Sequence, residues 1–106
     1  TYQNKYLLIQ NPPGGLLENL YGFVQYDEES PYSFISSFQE EYQQNLIIQA
    51  HIKDIKHVFS HRTWRMHVYH FILDKEIENM YTLEEINQLP LSTAHMKVLK
   101  AYLSSF

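Results

Sequence analysis

The segment from Trp64 to Leu73 constrains the fold of this chain more than any other feature. Mostly apolar residues occupy every second position from Trp64 onward, and the alternate positions include Tyr69 and Phe71. Alternation with a period of two is typical of a β-strand, and apolar residues on both faces are typical of a strand that is covered on both. The pattern therefore predicts a central strand in a packed sheet.

A second strand is predicted just before this one in the chain. Leu46-Ile47-Ile48 begins it, and we expect a break near Lys53-Asp54 before the strand resumes from Ile55 to Ser60. The two strands meet at His57-Val58-Phe59-Ser60-His61-Arg62-Thr63-Trp64. Recognition residues often lie at such strand-to-strand turns, where a stiff scaffold holds exposed tips.

The side chains of this octapeptide suit contact with a nucleobase. Ser, His and Arg donate or accept hydrogen bonds, while Phe and Trp offer flat apolar faces. An ordinary polar hairpin with two half-buried aromatic residues would give the same pattern. Trp64 falls in register with Met66 and Val68, which favours a core position for it over base stacking.

Shorter signals complete a predicted α+β domain, with a mixed or antiparallel sheet, a helix packed on it and helices at its C-terminal end. Strands are expected at Tyr6–Ile9 and Tyr21–Tyr26, separated by the breakers Asn11-Pro12-Pro13-Gly14-Gly15. Three helix starts are predicted from capping patterns, at Ser30-Pro31, Thr82-Leu83-Glu84-Glu85 and Ser92, the last of which follows Pro90. The apolar faces are expected at Phe34, Ile35, Phe38 and Tyr42 in the first helix, and at Met96, Leu99 and Leu103 in the last.

Composition fits one packed domain over residues 1–106. The chain is 44% hydrophobic and has no cysteine, so it contains no disulfide and no thiolate metal site. Its apolar runs are too short to span a membrane. Because the chain starts at Thr1 without Met or a leader, we interpret it as a piece of a larger protein.

Charge is distributed unevenly. The net charge is −4, but the segment from His51 to His70 carries four basic residues against Asp54 alone, a local charge of +3. The acids collect elsewhere, at Asp27-Glu28-Glu29, at Glu40-Glu41 and between Asp74 and Glu85. A local basic face can contact phosphates on an acidic domain because screening removes distant charges within about 8–10 Å. A solvated strand surface with mixed charges explains the same pattern.

Three segments together match the pattern of one family. Gly15-Leu16-Leu17-Glu18-Asn19-Leu20-Tyr21-Gly22-Phe23 fits the run G-L-L-x-x-L-W-x-F, except that Tyr21 replaces Trp and Gly22 replaces the usual Glu. His57–Trp64 fits a Phe-Ser-His loop, and Leu89–His95 fits a segment before a last helix. In this order and spacing, the chain resembles the C-terminal domain of MutY-type adenine DNA glycosylases.

The resemblance implies a Nudix-like fold and a role in DNA repair. The domain would recognise 8-oxoguanine opposite a mispaired adenine, in double-stranded DNA of the bacterial cytoplasm and as part of a monomeric protein. The adenine would be flipped out and excised by a separate catalytic domain of the same protein, which carries the iron–sulfur cluster. No catalytic residue, cofactor or metal is expected in this chain.

The resemblance also assigns the site residues. Ser60 would read the lesion, Phe59 would pack beside the base step or brace the loop, and His61 would contact phosphate or hold the loop's shape. His57 belongs to the same DNA-binding segment, and Arg62 and Lys56 are candidate phosphate contacts. Guanine presents an acceptor at N7, whereas 8-oxoguanine presents an N–H donor there, so an acceptor at Ser60 would distinguish the two bases.

Two other functions remain open. An active Nudix hydrolase needs several carboxylates on one helix to hold magnesium, but this helix keeps only Glu40 and Glu41 and lacks the upstream Arg-Glu pair. Hydrolysis is therefore not expected. A Nudix-like module that binds another protein and has no role on DNA is the stronger alternative. The histidines suggest no metal site, since His57 and His61 flank the turn without a carboxylate to complete a ligand set.

Overall fold

The computed structural model describes residues 1–15, 17–27, 30–59 and 61–106, with Phe59 described in its backbone alone. Leu16, Glu28, Glu29 and Ser60, on which parts of the sequence predictions fall, lie outside the described residues. Within the described ranges, strands pair in three antiparallel two-stranded sheets. These sheets are β1 (Lys5–Leu7) with β6 (Met80–Thr82), β2 (Ile9–Gln10) with β3 (Tyr21–Gly22), and β4 (Leu46–Phe59) with β5 (Arg62–Leu73).

Three helices accompany the sheets, α1 (Pro31–Tyr42), α2 (Leu83–Ile86) and α3 (Thr93–Leu103). Their predicted starts are confirmed by the caps: the side chains of Ser30, Thr82 and Ser92 accept hydrogen bonds from Tyr32 N, Glu85 N and His95 N. Glu85 closes a capping box, since its carboxylate accepts from Thr82 N at 2.9 Å. The predicted α+β class is confirmed.

The core lies where α1 packs on the paired strands β4 and β5. Phe38 of α1 is 2% exposed and forms a buried cluster with Leu73 and Met80. Phe34 stacks on Phe71 of β5 with ring centroids 4.8 Å apart. Phe34, Phe38 and Tyr42 thus form the packed face of α1 that the helical spacing predicts.

The predicted strand at Tyr21–Tyr26 is shorter in the structure. β3 ends at Gly22, because the backbone N–H of Phe23 donates to His95 Nδ1 at 2.7 Å rather than to a neighbouring strand. The predicted strand at Tyr6–Ile9 is divided into β1 and β2 at Leu8, which is fully buried.

The predicted break in the preceding strand is a pair of bulges inside one continuous strand. The register of β4 against β5 shifts between Ile48 and Ala50 and again between His51 and Lys53. A bulge inserts one extra residue and increases the twist without ending the strand. Along β4, the half-buried or buried positions are even-numbered from Leu46 to Ile52, and beyond the bulges they are Ile55 and His57.

The prediction of a central position for β5 is wrong for the described residues. β5 pairs with β4 along one edge, and along the other edge the described chain supplies only Thr1. Its coverage on both faces is confirmed only from Val68 to Leu73, where every residue is half-buried or buried. From Arg62 to His67 the strand alternates between exposed and half-buried residues, apart from the exposed pair at its start.

The predicted apolar face of α3 is mostly exposed, with Leu99 half-buried between two exposed residues. Met96 is 55% and Leu103 40% exposed, whereas Ala94 and His95 are buried against the body of the domain. A helix face of three apolar residues does not by itself identify the buried side when a neighbouring face also carries small and aromatic residues.

Candidate nucleic-acid interface

The paired strands β4 and β5 end in a tight turn that carries the predicted recognition segment. Phe59 pairs with Arg62, which leaves two residues, Ser60 and His61, to connect the strands. The length of such a connection fixes the register of the two strands that it joins. The predicted turn between the strands is thus confirmed, although Ser60 itself lies outside the described residues.

The other predicted site residues fall into two groups. His61, Arg62 and Lys56 are exposed, as contacts to DNA phosphates require. His57 is only 7% exposed. Phe59 is described in its backbone alone, where it closes the pairing next to the turn.

His57 connects the strand to α3. Its Nδ1 accepts a hydrogen bond from Lys97 Nζ at 2.8 Å, since an ammonium group can only donate. On β5 the residue opposite is Trp64, which is half-buried with its ring centroid 6.4 Å from that of His57. This contact anchors the base of the tip to the body of the domain, so His57 supports the segment from inside. The half-buried position of Trp64 agrees with the core role favoured by its register.

The outer face of the same strands is basic. Lys56 and Arg65 are directly opposite each other, and both are exposed. Like charges opposite each other on a sheet are mutually unfavourable. In the described part of the chain, neither residue takes part in an ion pair with a carboxylate. An anionic partner would remove this repulsion.

Asp54 is the acidic residue nearest to this basic pair along β4, and two histidines hold its carboxylate. Asp54 Oδ1 lies 2.9 Å from His67 Nδ1 and 2.9 Å from His51 Nε2. Hydrogen bonds from His67 and then from His51 hold the pKa of the Asp54 carboxyl below its usual value. The sequence analysis did not anticipate this cluster, because the bulge that brings His51 beside Asp54 is not visible in a pattern of period two.

His95 is a further residue that sequence reasoning missed. Its Nδ1 accepts from Phe23 N, and its Nε2–H donates to Gln25 Oε1 at 3.1 Å. Burial lowers the pKa of His95 to about 4, so the ring is neutral at neutral pH. Gly22 is the residue of the sequence that could have indicated this contact, because a Cβ atom there would lie 2.9 Å from His95 Nδ1. A lone glycine in a strand pattern often marks such a close approach.

Two neighbouring carboxylates near the end of α1 are what the sequence retains of the magnesium-binding pattern. Both Glu40 and Glu41 are exposed, and Glu41 Oε1 accepts a hydrogen bond from the hydroxyl of Tyr26. Burial, together with Glu41, raises the pKa of the Tyr26 hydroxyl. Among the residues that the structure describes, no group of three or more His, Cys, Asp or Glu side chains is placed to hold a metal ion.

Comparison with known families identifies the family of this chain. The family model of the NUDIX domain matches residues 1–101, which is nearly the whole chain. The chain belongs to the NUDIX domain family. No curated protein matched it. In the described residues, no helix combines the length and the apolar character needed to cross a membrane.

Proposed function

We propose that this NUDIX domain recognises 8-oxoguanine opposite mispaired adenine in DNA, as the lesion-reading part of an adenine DNA glycosylase. One observation carries the proposal: the segment that resembles the Phe-Ser-His loop lies at the two-residue turn of a long, well-anchored pair of strands. The family match supports the Nudix-like part of the resemblance. The parent protein would act as a monomer in the bacterial cytoplasm.

The surroundings of the turn suit contact with a DNA duplex. His61 and Arg62 are exposed at the turn, and Lys56 and Arg65 add positive charge on the outer face of the strands. Basic side chains on phosphates fix the position of a protein on the duplex without reading its sequence. Ser60, next to His61, would then accept from the N7–H of 8-oxoguanine. Unmodified guanine would leave that acceptor unpaired, at a cost of about 1–3 kcal/mol.

In this proposal, the excision of adenine takes place in another domain of the parent protein. The chain has no cysteine to bind an iron–sulfur cluster, so the cluster would belong to the catalytic domain of the parent protein. Excision requires a pocket for the flipped adenine, which that domain would also supply. This domain would contribute affinity and selectivity for the lesion and no bond-breaking step.

The test is adenine release by the intact parent protein from duplexes that contain 8-oxoguanine:adenine or guanine:adenine. The double variant Ser60→Ala, His61→Ala is expected to lose about 1–3 kcal/mol of transition-state stabilisation on the 8-oxoguanine duplex and little on the other. Thr63→Ala is the matched control, since Thr63 is an exposed residue just beyond the turn. Equal loss on both duplexes would reduce the turn to a general DNA contact.

A protein-interaction module is the second candidate, and one observation favours it. Met96, Leu99 and Leu103 of α3 line a groove of about 420 Å³ together with apolar residues that flank α2. Exposed apolar patches often mark protein-binding surfaces. If the parent protein released no adenine from either duplex, the glycosylase assignment would be wrong and this module would be the better description.

A further inference from the structure

Three titratable side chains on the outer face of β4 and β5 are not used by the proposed reading of the lesion. They are His51, Asp54 and His67, which together form the His–Asp–His cluster. Asp54 lies directly opposite His67. The basic pair of Lys56 and Arg65 lies two positions away along each strand, towards the turn. Side chains two positions apart in a strand share a face, so the cluster and the basic pair lie on one surface. About half of each histidine side chain is exposed, which leaves the cluster accessible to a ligand.

The hydrogen bonds of the cluster determine where its protons are. An ionised carboxylate only accepts, so His67 Nδ1 and His51 Nε2 each carry the hydrogen that they donate to Asp54 Oδ1. The opposite nitrogen of each neutral ring is therefore a lone pair. In the part of the chain that the structure describes, these two opposite nitrogens make no hydrogen bond to the protein. His51 also stacks on Tyr69 with ring centroids 4.6 Å apart, which fixes the orientation of its ring.

Protonation reverses what the cluster offers to a ligand. With both rings neutral, it presents two lone pairs and the negative charge of Asp54, and both repel an anion. Because Asp54 already accepts from one nitrogen of each ring, an added proton goes to the opposite nitrogen. Two added protons turn both lone pairs into N–H donors and change the net charge of the cluster from one negative to one positive. Histidine ordinarily gains its charge between about pH 8 and pH 5, so this change lies close to neutral pH.

The surroundings of the two rings favour an anionic ligand. The charged and titratable groups around them are Lys53, Asp54, Lys56, Arg65 and Tyr69 of the paired strands, with Tyr26 and Asp27 from the segment before α1, which line the same open cleft as His67. Cations outnumber carboxylates in this set even before the histidines are protonated. Within the described residues, the ion pairs of both rings lead to Asp54 and to no other carboxylate.

A DNA strand matches the dimensions of this surface. Two residues of an antiparallel strand advance by about 7 Å. Each strand of a duplex presents one phosphate for about every 3.4 Å of its axis. A DNA backbone lying along the outer face would therefore place separate phosphates beside the basic pair and beside the His–Asp–His cluster. The basic pair is a phosphate contact in the proposed function, and the cluster extends that contact along the same strands.

We propose that His51 and His67, oriented by Asp54, form a proton-dependent phosphate-binding site for the DNA backbone. Each ring takes up a proton from solvent at its outward nitrogen and donates that N–H to a phosphate oxygen, in a charge-assisted hydrogen bond. Lower pH strengthens DNA binding, and by linkage DNA binding draws protons onto the rings. The site adds affinity without distinguishing 8-oxoguanine from guanine. This inference rests on the proposed function for its partner, DNA, and does not depend on the role of Ser60.

The experiment measures binding of the parent protein to undamaged and 8-oxoguanine:adenine duplexes by fluorescence anisotropy, from about pH 8 to about pH 6. Affinity for both duplexes is expected to rise about tenfold towards the lower pH, and the salt dependence to steepen by up to about two phosphate contacts. The double variant His51→Gln, His67→Gln should lose most of this rise. Thr63→Gln, an exposed change on the same strands, is the matched control and should keep it. His61→Gln should also keep it, which separates the cluster from the histidine of the turn.

A second variant, Asp54→Asn, tests the charge of the cluster. It should bind both duplexes several-fold more tightly than the unaltered protein near pH 8, because the carboxylate that repels phosphate is gone. Nitrogen NMR of the unaltered protein near pH 8 should show the Nδ1–H form of His67 and the Nε2–H form of His51.

Three results would overturn the site. They are the same pH dependence in the unaltered protein and the double histidine variant, weaker binding by Asp54→Asn near pH 8, and a pH-dependent rise on phosphatidylserine vesicles with none on DNA. Adenine release is measured separately on the same protein. Its absence would refute the glycosylase assignment, while the binding curves would still decide whether the cluster binds phosphate.

Discussion

The paired strands β4 and β5 have two halves with opposite surroundings. In the near half, around Leu46 and Leu73, the strands pack on α1 through Phe38 and Phe71. In the far half, towards the turn, Lys56 and Arg65 face outward and only one face is covered. The two bulges of β4 separate these halves. One continuous pair of strands thus serves as core at one end and as an exposed, charged projection at the other.

This contrast indicates which residues are expected to determine stability and which are expected to determine binding. Near-half side chains are closely packed, so changes there should alter folding and affect DNA binding only indirectly. Far-half side chains are exposed, so changes there should alter binding with little effect on folding. Three measurements examine this separation.

The largest effect is expected from the near half. Phe38→Ala removes a ring that is 2% exposed and stacked on Tyr42, and it should lower the free energy of unfolding by about 3–5 kcal/mol. Urea denaturation measures this loss. Arg62→Ala, at the exposed turn, is the control and should change stability by less than about 0.5 kcal/mol. Similar losses for the two variants would contradict the separation.

An intermediate effect is expected from pH. The pKa of His95 is about 4 when folded and near 6.5 when unfolded, so the unfolded chain binds a proton between these values that the folded chain does not. This contribution is fully present above pH 6.5 and falls as pH is lowered towards 4, by about 3 kcal/mol in total. Unfolding free energies measured from pH 7 to pH 4 should show the decline.

The variant His95→Gln should flatten part of that decline, while Met96→Gln on the exposed face of the same helix should leave it intact. The remaining slope includes the Asp54 carboxyl, whose lowered pKa also makes stability fall in acid. If the two variants gave the same pH dependence as the unaltered chain, His95 would not be the titrating group.

The smallest effect is expected from the far half, and on binding alone. Lys56→Ala and Arg65→Ala should each weaken binding of the parent protein to both 8-oxoguanine and guanine duplexes by about 1 kcal/mol. Each should also reduce the salt dependence by about one phosphate contact. Fluorescence anisotropy at several salt concentrations measures both quantities. Lys75→Ala, outside the paired strands, serves as the control, and an equal effect of that change would indicate nonspecific charge.

The sequence predicted features that depend on neighbours along the chain. The caps at Ser30, Thr82 and Ser92 were predictable because each bonds to a backbone N–H within three residues. The turn between the two long strands was predictable because their apolar patterns stop on either side of it. The role of Ser60 at that turn stays a prediction.

Features set by distant parts of the chain were not predictable in the same way. The end of β3 at Gly22 depends on His95, which lies more than seventy positions away along the chain, and on its hydrogen bond to Phe23. The buried side of α3 depends on what packs against it, and the apolar spacing of Met96 and Leu103 does not contain that information. The pairing of β5 depends on the strand that lies beside it. The pattern of β5 predicts that both its faces are covered, but it does not show which segment pairs with its edge.

The two bulges of β4 shift its register against β5 within an otherwise regular alternation of side chains. Each adds one residue on β4 without adding one on β5, so if the same sequence paired with one bulge fewer, every later residue of β4 would slip by one position along β5 and its side chain would turn to the opposite face. Lys56 and Val58 would then point inward, and His57 would point to solvent, away from Lys97. The bulges between Ile48 and Lys53 therefore decide which face of the projection is charged, because they set the register of every residue of β4 that follows.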